Sequence, residues 1–119
     1  MRLALNGATI MPSPIEGDIT IASACGYAAL EIWAAKLDAY LAQGLGLEAL
    51  SQQMEMRGIE PWCINSIEDI TSRDRAAVLQ ELRHRAGMAR ILGAPGIVVV
   101  PGRRNDGAQR SEAITEAAD

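Results

Sequence analysis

Four short apolar runs alternate with amphipathic stretches along the chain, and this alternation limits the fold more than any other feature. The runs fall at residues 3–5, 28–33, 60–65 and 96–100. Strands starting near positions 3, 29, 60 and 96 are 26, 31 and 36 residues apart, close to the length of one βα unit. The last, Gly96-Ile97-Val98-Val99-Val100, is the continuous β-branched pattern of a strand buried on both faces. Pro61 lacks an N–H and is expected at the first position of the third strand, where this costs least.

Helical patterns fill the gaps. Ser13-Pro14 offers an N-cap followed by Pro in the first turn, with Asp18 a competing cap and Gly26 a left-handed terminator. Residues 36–43 can add a short helix after the second strand. Leu47, Leu50 and Met54 set a helix over 47–57 that Gly58 stops. The longest helix is expected over 73–92, capped by Thr71 or Ser72 and ended by Gly93 and Pro95. Its expected apolar stripe is Val78, Leu79, Leu82, Ala86 and Ala89.

Strand, helix, strand, helix at this period predicts a parallel sheet with helices packed outside it. A closed TIM barrel takes eight βα units and roughly 250 residues. These 119 residues hold four strands. Residues 111–119 open a further helical pattern with Ala113, Ile114, Ala117 and Ala118. The expectation is an α/β fold of parallel (β/α) units, the first four of a TIM barrel. Residues 1–119 then form one half-barrel domain that breaks off in a helix. The alternative is a flavodoxin-like open sheet complete in itself, whose first strand would lie between two neighbours.

Composition narrows the function classes. Lys plus Arg number 11 against 15 Asp plus Glu, a net charge of −4 that disfavours a dedicated nucleic-acid binder. No apolar run approaches the roughly 18 residues of a membrane span, and the first residues turn polar too soon for a secretory signal. Cys25 and Cys63 make no disulfide framework, so a reduced, cytoplasmic setting is expected, with both thiols filling core volume. Aromatics are Trp33, Trp62, Tyr27 and Tyr40 alone, which leaves the core to Ala, Leu, Ile, Val and Met.

Three segments resemble a known family. Cys25-Gly26-Tyr27-Ala28-Ala29-Leu30-Glu31-Ile32-Trp33 is similar to the G-[FY]-x-x-[LIV]-E-[LI] second-strand signature of xylose isomerase-like TIM barrels. That family includes sugar phosphate isomerases and epimerases, inosose isomerases and dehydratases, and tagatose epimerases. Ala89 to Gly102 resembles its A-x-x-L-G-[AC]-x-x-[IV]-V-V-x-x-G helix-to-strand signature, and Arg57-Gly58-Ile59-Glu60 its lead-in to strand three. The resemblance covers nearly the whole chain but only the N-terminal half of a family barrel.

The resemblance implies a metal-dependent isomerase or epimerase acting on a sugar, sugar phosphate or inosose. One divalent metal (Mn, Mg, Co or Zn) polarises neighbouring substrate oxygens while carboxylates move a proton between carbons. The family's Glu, Asp, His and Glu ligands sit on later strands, so no metal ligand carries over to this chain. The activity is therefore expected of a longer parent protein. DNA-repair endonucleases of this fold use a His near the end of strand three or four. Asn65-Ser66 and Pro101-Gly102 stand there instead.

In a parallel barrel, ligands gather at the carboxyl ends of the strands. That makes Asn6, Glu31, Trp33 and Asn65 the candidate substrate-binding residues for a small sugar or polyol. Glu31 and Trp33 alternate with Leu30 and Ile32, and face the barrel interior if those two face the helices. Glu31 can orient hydroxyls or be a buried carboxylate satisfied locally. Trp33 can stack on a sugar face or pack the mouth. Asn6 and Asn65 can serve hydroxyls or cap turns. Arg103 and Arg104 could meet a phosphate or lie in a solvated loop. His84, the lone histidine, reads as a surface residue of the long helix, and Gly44-Leu45-Gly46 as a turn. A non-catalytic reading also stands. Two open sheet edges would let the half-barrel self-associate as a homo-oligomer or bind a partner.

Overall fold

The computed structural model describes residues 1–102. Arg103, Arg104 and the helical pattern over 111–119 lie outside the described residues. Strands β1 (Ala4–Asn6), β2 (Ala29–Trp33), β3 (Glu60–Ile67) and β4 (Ile97–Val99) form one sheet in the order β1-β2-β3-β4. Every neighbouring pair is parallel. Helices α1 (Ile15–Ala24), α2 (Ala34–Ala42), α3 (Leu47–Met56) and α4 (Arg75–Leu92) fill the crossovers. A 3₁₀ turn, Gly7–Ile10, follows β1 directly. Among the described residues the first strand sits at an edge of this sheet, which is not the flavodoxin-like order and fits the half-barrel.

The core lies between the sheet and the helices. Leu30 and Ile32 of β2 and Ile64 of β3 are fully buried against Ile15 and Ile19 of α1, Leu37 and Tyr40 of α2, Leu50 and Met54 of α3, and Met88 and Leu92 of α4. The opposite sheet face carries Glu31, between Leu30 and Ile32 in the strand alternation.

Several local expectations are corrected. α4 buries Arg85, Met88, Ala89 and Leu92, while Leu79, Leu82 and Ala86 are exposed. The buried face is rotated because Arg85 crosses to α2, where its two terminal nitrogens reach Asp38 at 2.5 and 2.6 Å. A paired guanidinium on an aliphatic stem can occupy a helix-facing position that hydropathy assigns to solvent. The α4 cap is Asp74, which accepts from the Ala77 amide at 2.9 Å, not Thr71 or Ser72. Gly93 ends α4 with φ +78°, as the left-handed terminator requires.

α1 begins after Pro14, and Asp18 lies inside it rather than capping it. Pro61 takes the second position of β3, not the first, and α2 runs Ala34–Ala42 rather than over 36–43. β4 is only half-buried, with Val99 47% exposed, because among the described residues it pairs on one side alone. Cys63 is buried as expected, but Cys25 is exposed at the end of α1.

Candidate functional site

Three of the four predicted site residues converge. Asn6 is the last residue of β1, and its Nδ2 donates to Glu31 Oε1 at 3.0 Å. Asn65 Nδ2 donates to the same oxygen from β3 at 2.5 Å. The cluster therefore spans three adjacent strands with one carboxylate at its centre. Asn6 also serves its turn, since its Oδ1 accepts from the Ala8 amide at 2.8 Å and caps the 3₁₀ segment. The turn-capping reading of Asn6 holds, and the other end of the same amide is free to donate to Glu31.

Asn65 reaches this face only through a bulge. Leu30 pairs with Pro61, and Glu31 pairs with Cys63, so Trp62 has no partner across β2. The extra residue reverses the alternation of β3 from that point on. Ile59 and Ile64 both join the helix-side core, although strict alternation puts them on opposite faces. Cys63 and Asn65 are thereby turned to the side of Glu31. β3 also continues two residues past Asn65, to Ile67, so Asn65 lies within the strand rather than at its tip.

Trp33 is half-buried, and the two amides on Glu31 come from Asn6 and Asn65 instead. It borders a cavity of about 300 Å³ between the β1–α1 loop and α2, with Met11, Ile15, Lys36 and Tyr40. His84 is exposed on α4, as expected.

Sequence reasoning missed Cys63 as a neighbour of Glu31. Burial, and after it the negative charge of Glu31, push the Cys63 thiol up to about 11. At pH 8 such a thiol is ionised in roughly one molecule in a thousand. Cys25 is therefore expected to take up iodoacetamide in the native chain, and Cys63 only after unfolding. Peptide mapping checks this: equal labelling of both in the native state contradicts the buried setting of Cys63.

The cluster does not fit a metal by itself. Among the described residues no three His, Cys, Asp or Glu side chains lie together. Among the described residues Glu31 is the only carboxylate joined to the two amides, and the adjacent thiol is held protonated. What these groups can do is present donors and acceptors at fixed spacing to a polar ligand. Each amide keeps hydrogen-bonding capacity, and one Glu31 oxygen accepts neither amide.

Sequence reasoning also missed a buried ion pair beside the cluster. Lys36 Nζ lies 2.7 and 2.8 Å from the two Asp18 carboxylate oxygens. Both side chains are more than nine-tenths buried. Burial raises the Asp18 carboxyl, while the hydrogen bond and charge of Lys36 pull it back down. A helix interior such as Ile15–Ala24 gives no periodic signal that an Asp within it points inward, so this pair was not readable from spacing.

No family model and no curated protein sequence matches the chain. Solved structures do match. An IOLI protein with a binding zinc atom aligns over all of this chain at TM-score 0.90 and 24% identity, and the chain covers 44% of it. The probable 3-DHS dehydratase AsbF, involved in petrobactin synthesis in Bacillus anthracis, aligns over 98% at TM-score 0.81 and 16% identity, with 44% of its own length covered. A xylose isomerase domain containing protein from Salmonella typhimurium LT2 aligns over 97% at TM-score 0.75 and 17% identity, with 42% covered. The chain thus spans less than half the length of the proteins it matches. These likenesses, together with the sequential parallel strand order, give the chain the fold of an α/β half-barrel, similar to 42–44% of each of these proteins.

Proposed function

We propose that this chain is the sugar-binding N-terminal half of a metal-dependent isomerase or epimerase acting on a sugar, sugar phosphate or inosose. The observation that carries the reading is the single Glu31 carboxylate held by amides from two flanking strands on the inner side of a half-barrel. Asn6, Glu31 and Asn65 would bind and orient adjacent hydroxyls, and Trp33 would cover an apolar face of the ring. A divalent metal, when bound, supplies polarisation of neighbouring substrate oxygens. Its ligands are expected on further βα units, since the described residues do not assemble a set. The zinc of the IOLI structure supports a metal in such barrels, not its ligands here.

The test has two arms. A ketose or an inosose titrated onto this chain is expected to shift the side-chain amide signals of Asn6 and Asn65 in a nitrogen-15 spectrum, with affinity on the order of millimolar. The longer protein carrying these residues is expected to interconvert such sugars only with a divalent metal. Turnover undiminished by exhaustive chelation, or amide signals that ignore every sugar, would overturn the reading.

A second reading is favoured by one observation. Trp62 in β3 is 56% exposed, Leu3 just before β1 is 53% exposed, and the two edge strands each pair on one side among the described residues. A second copy could add β1 to β4 in the parallel sense and close an eight-stranded assembly. Sedimentation at micromolar concentration decides this: a lone monomer with cooperative melting excludes it.

A further inference from the structure

The Asp18–Lys36 pair is more than buried charge. A Lys ammonium has three N–H donors, and all three find acceptors here. Two go to the Asp18 oxygens, and the third goes to the Ile10 carbonyl at 2.8 Å. Ile10 closes the 3₁₀ turn that Asn6 opens. The pair therefore grips the far end of the turn whose near end carries the Asn6 amide.

Gly7 shows the second point of contact. A Cβ placed there would lie 2.9 Å from Asp18 Oδ2, 3.2 Å from the Glu31 carbonyl oxygen and 3.4 Å from the Trp33 nitrogen. The backbone immediately after Asn6 is thus wedged between the Asp18 carboxylate and the end of β2. One face of the wedge is the strand that carries Glu31, and the other is the ion pair. Only a residue without a side chain fits between them. Lys36 lies on α2, Asp18 on α1 and Ile10 in the turn, so three segments meet at one ammonium.

We propose that Asp18 and Lys36 are positioning residues: together they hold the Gly7–Ile10 turn so that Asn6 stays on Glu31 before any ligand arrives. The consequence for function rests on the reading of Asn6, Glu31 and Asn65 as the polyol-binding cluster. A preset cluster loses less freedom on binding than one that must assemble.

The test separates positioning from mere stability. A buried ion pair can often be exchanged for apolar residues of similar volume without loss of stability. The double variant Asp18→Leu/Lys36→Met does this in the full chain, but takes the Lys36 donor from the Ile10 carbonyl, which keeps only the Ser13 amide at 3.0 Å. The Ala8 amide, which donates to Asn6, is then expected to exchange with solvent at least about tenfold faster relative to the Ile32 and Leu37 amides. The Asn6 side-chain amide signals should shift, while those of Asn65, held from β3, should stay in place. If Ala8 exchange changes only in step with the core amides and the Asn6 signals are unmoved, the pair is structural alone and the proposal falls. Gly7→Ala is the second variant, since it keeps both charges and inserts a methyl into the wedge. Its Asn6 side-chain signals are expected to move, and Asn6 signals that coincide with the parent's would overturn the proposal equally. Neither readout involves a substrate, so the enzymatic reading can fail without touching this result.

Discussion

Replacing Lys36 with Met is expected to cost the fold about 3–5 kcal/mol at neutral pH, the range for breaking a buried pair by removing one partner. Single domains of this size have about 5–15 kcal/mol in all. The loss is large because Asp18, 1% exposed, keeps its carboxylate with no cation beside it. Its sign with pH follows from burial. Burial raises the Asp18 carboxyl in the folded state, and Lys36 opposes that rise. A carboxyl raised by folding contributes stability in acid, and the contribution disappears as pH climbs through the folded value. Without Lys36 the folded value rises further, so Asp18 holds its proton nearer to neutrality. The deficit against the parent should be smallest below the unfolded carboxyl value of about 3.9 and grow toward neutral pH. Urea midpoints of the two proteins across that range measure it. A deficit constant with pH would show that Asp18 is not the group left stranded.

Ile64→Ala is expected to remove about 2–5 kcal/mol, by lost burial and by the cavity left behind. Ile64 is 0% exposed in β3 and lies in the cluster that joins the sheet to all four helices. Its neighbours Leu30 and Ile32 are equally buried, so little can collapse into the space. Trp62→Ala, two residues away, is the contrast. Trp62 has a larger side chain but is 56% exposed and lies in the bulge. Its removal should change the stability of a monomer by less than about 1 kcal/mol. Urea denaturation of both variants tests the assignment of faces. Comparable losses would mean that the exposed face is covered in solution, as self-association requires.

The fold was largely legible because its signals are local. Apolar runs of strand length, spaced at one βα unit, leave few arrangements once right-handed crossovers are the rule. Gly26, Gly58 and Gly93 all take positive φ where a helix must end, and each was readable as a stop. The face of α4 was not readable, because Arg85 turns inward for a partner 47 residues away on α2. No window of sequence contains both Asp38 and Arg85.

The candidate site divides in the same way. Asn6 and Glu31 sit where strand ends and alternation place them, and the structure joins them at 3.0 Å. Asn65 is legible as a site residue from its position near a strand end, yet strict alternation from Ile59 turns it toward the helices. The bulge at Trp62 brings it back. Cys63 arrived beside Glu31 by the same shift, and so escaped notice.

Taken alone, the sequence determined the parallel βα order, the strands and the inward Glu31. Those follow from periodicity and turn chemistry, which act over a few residues. The tertiary structure alone decided the register of β3, the Arg85–Asp38 crossing and the ion pair clamped behind Asn6. Those depend on which side chains meet after the chain has closed loops of 18 to 47 residues. A one-residue slip in a strand, or a buried charge, is settled only by the partner it finds across that gap.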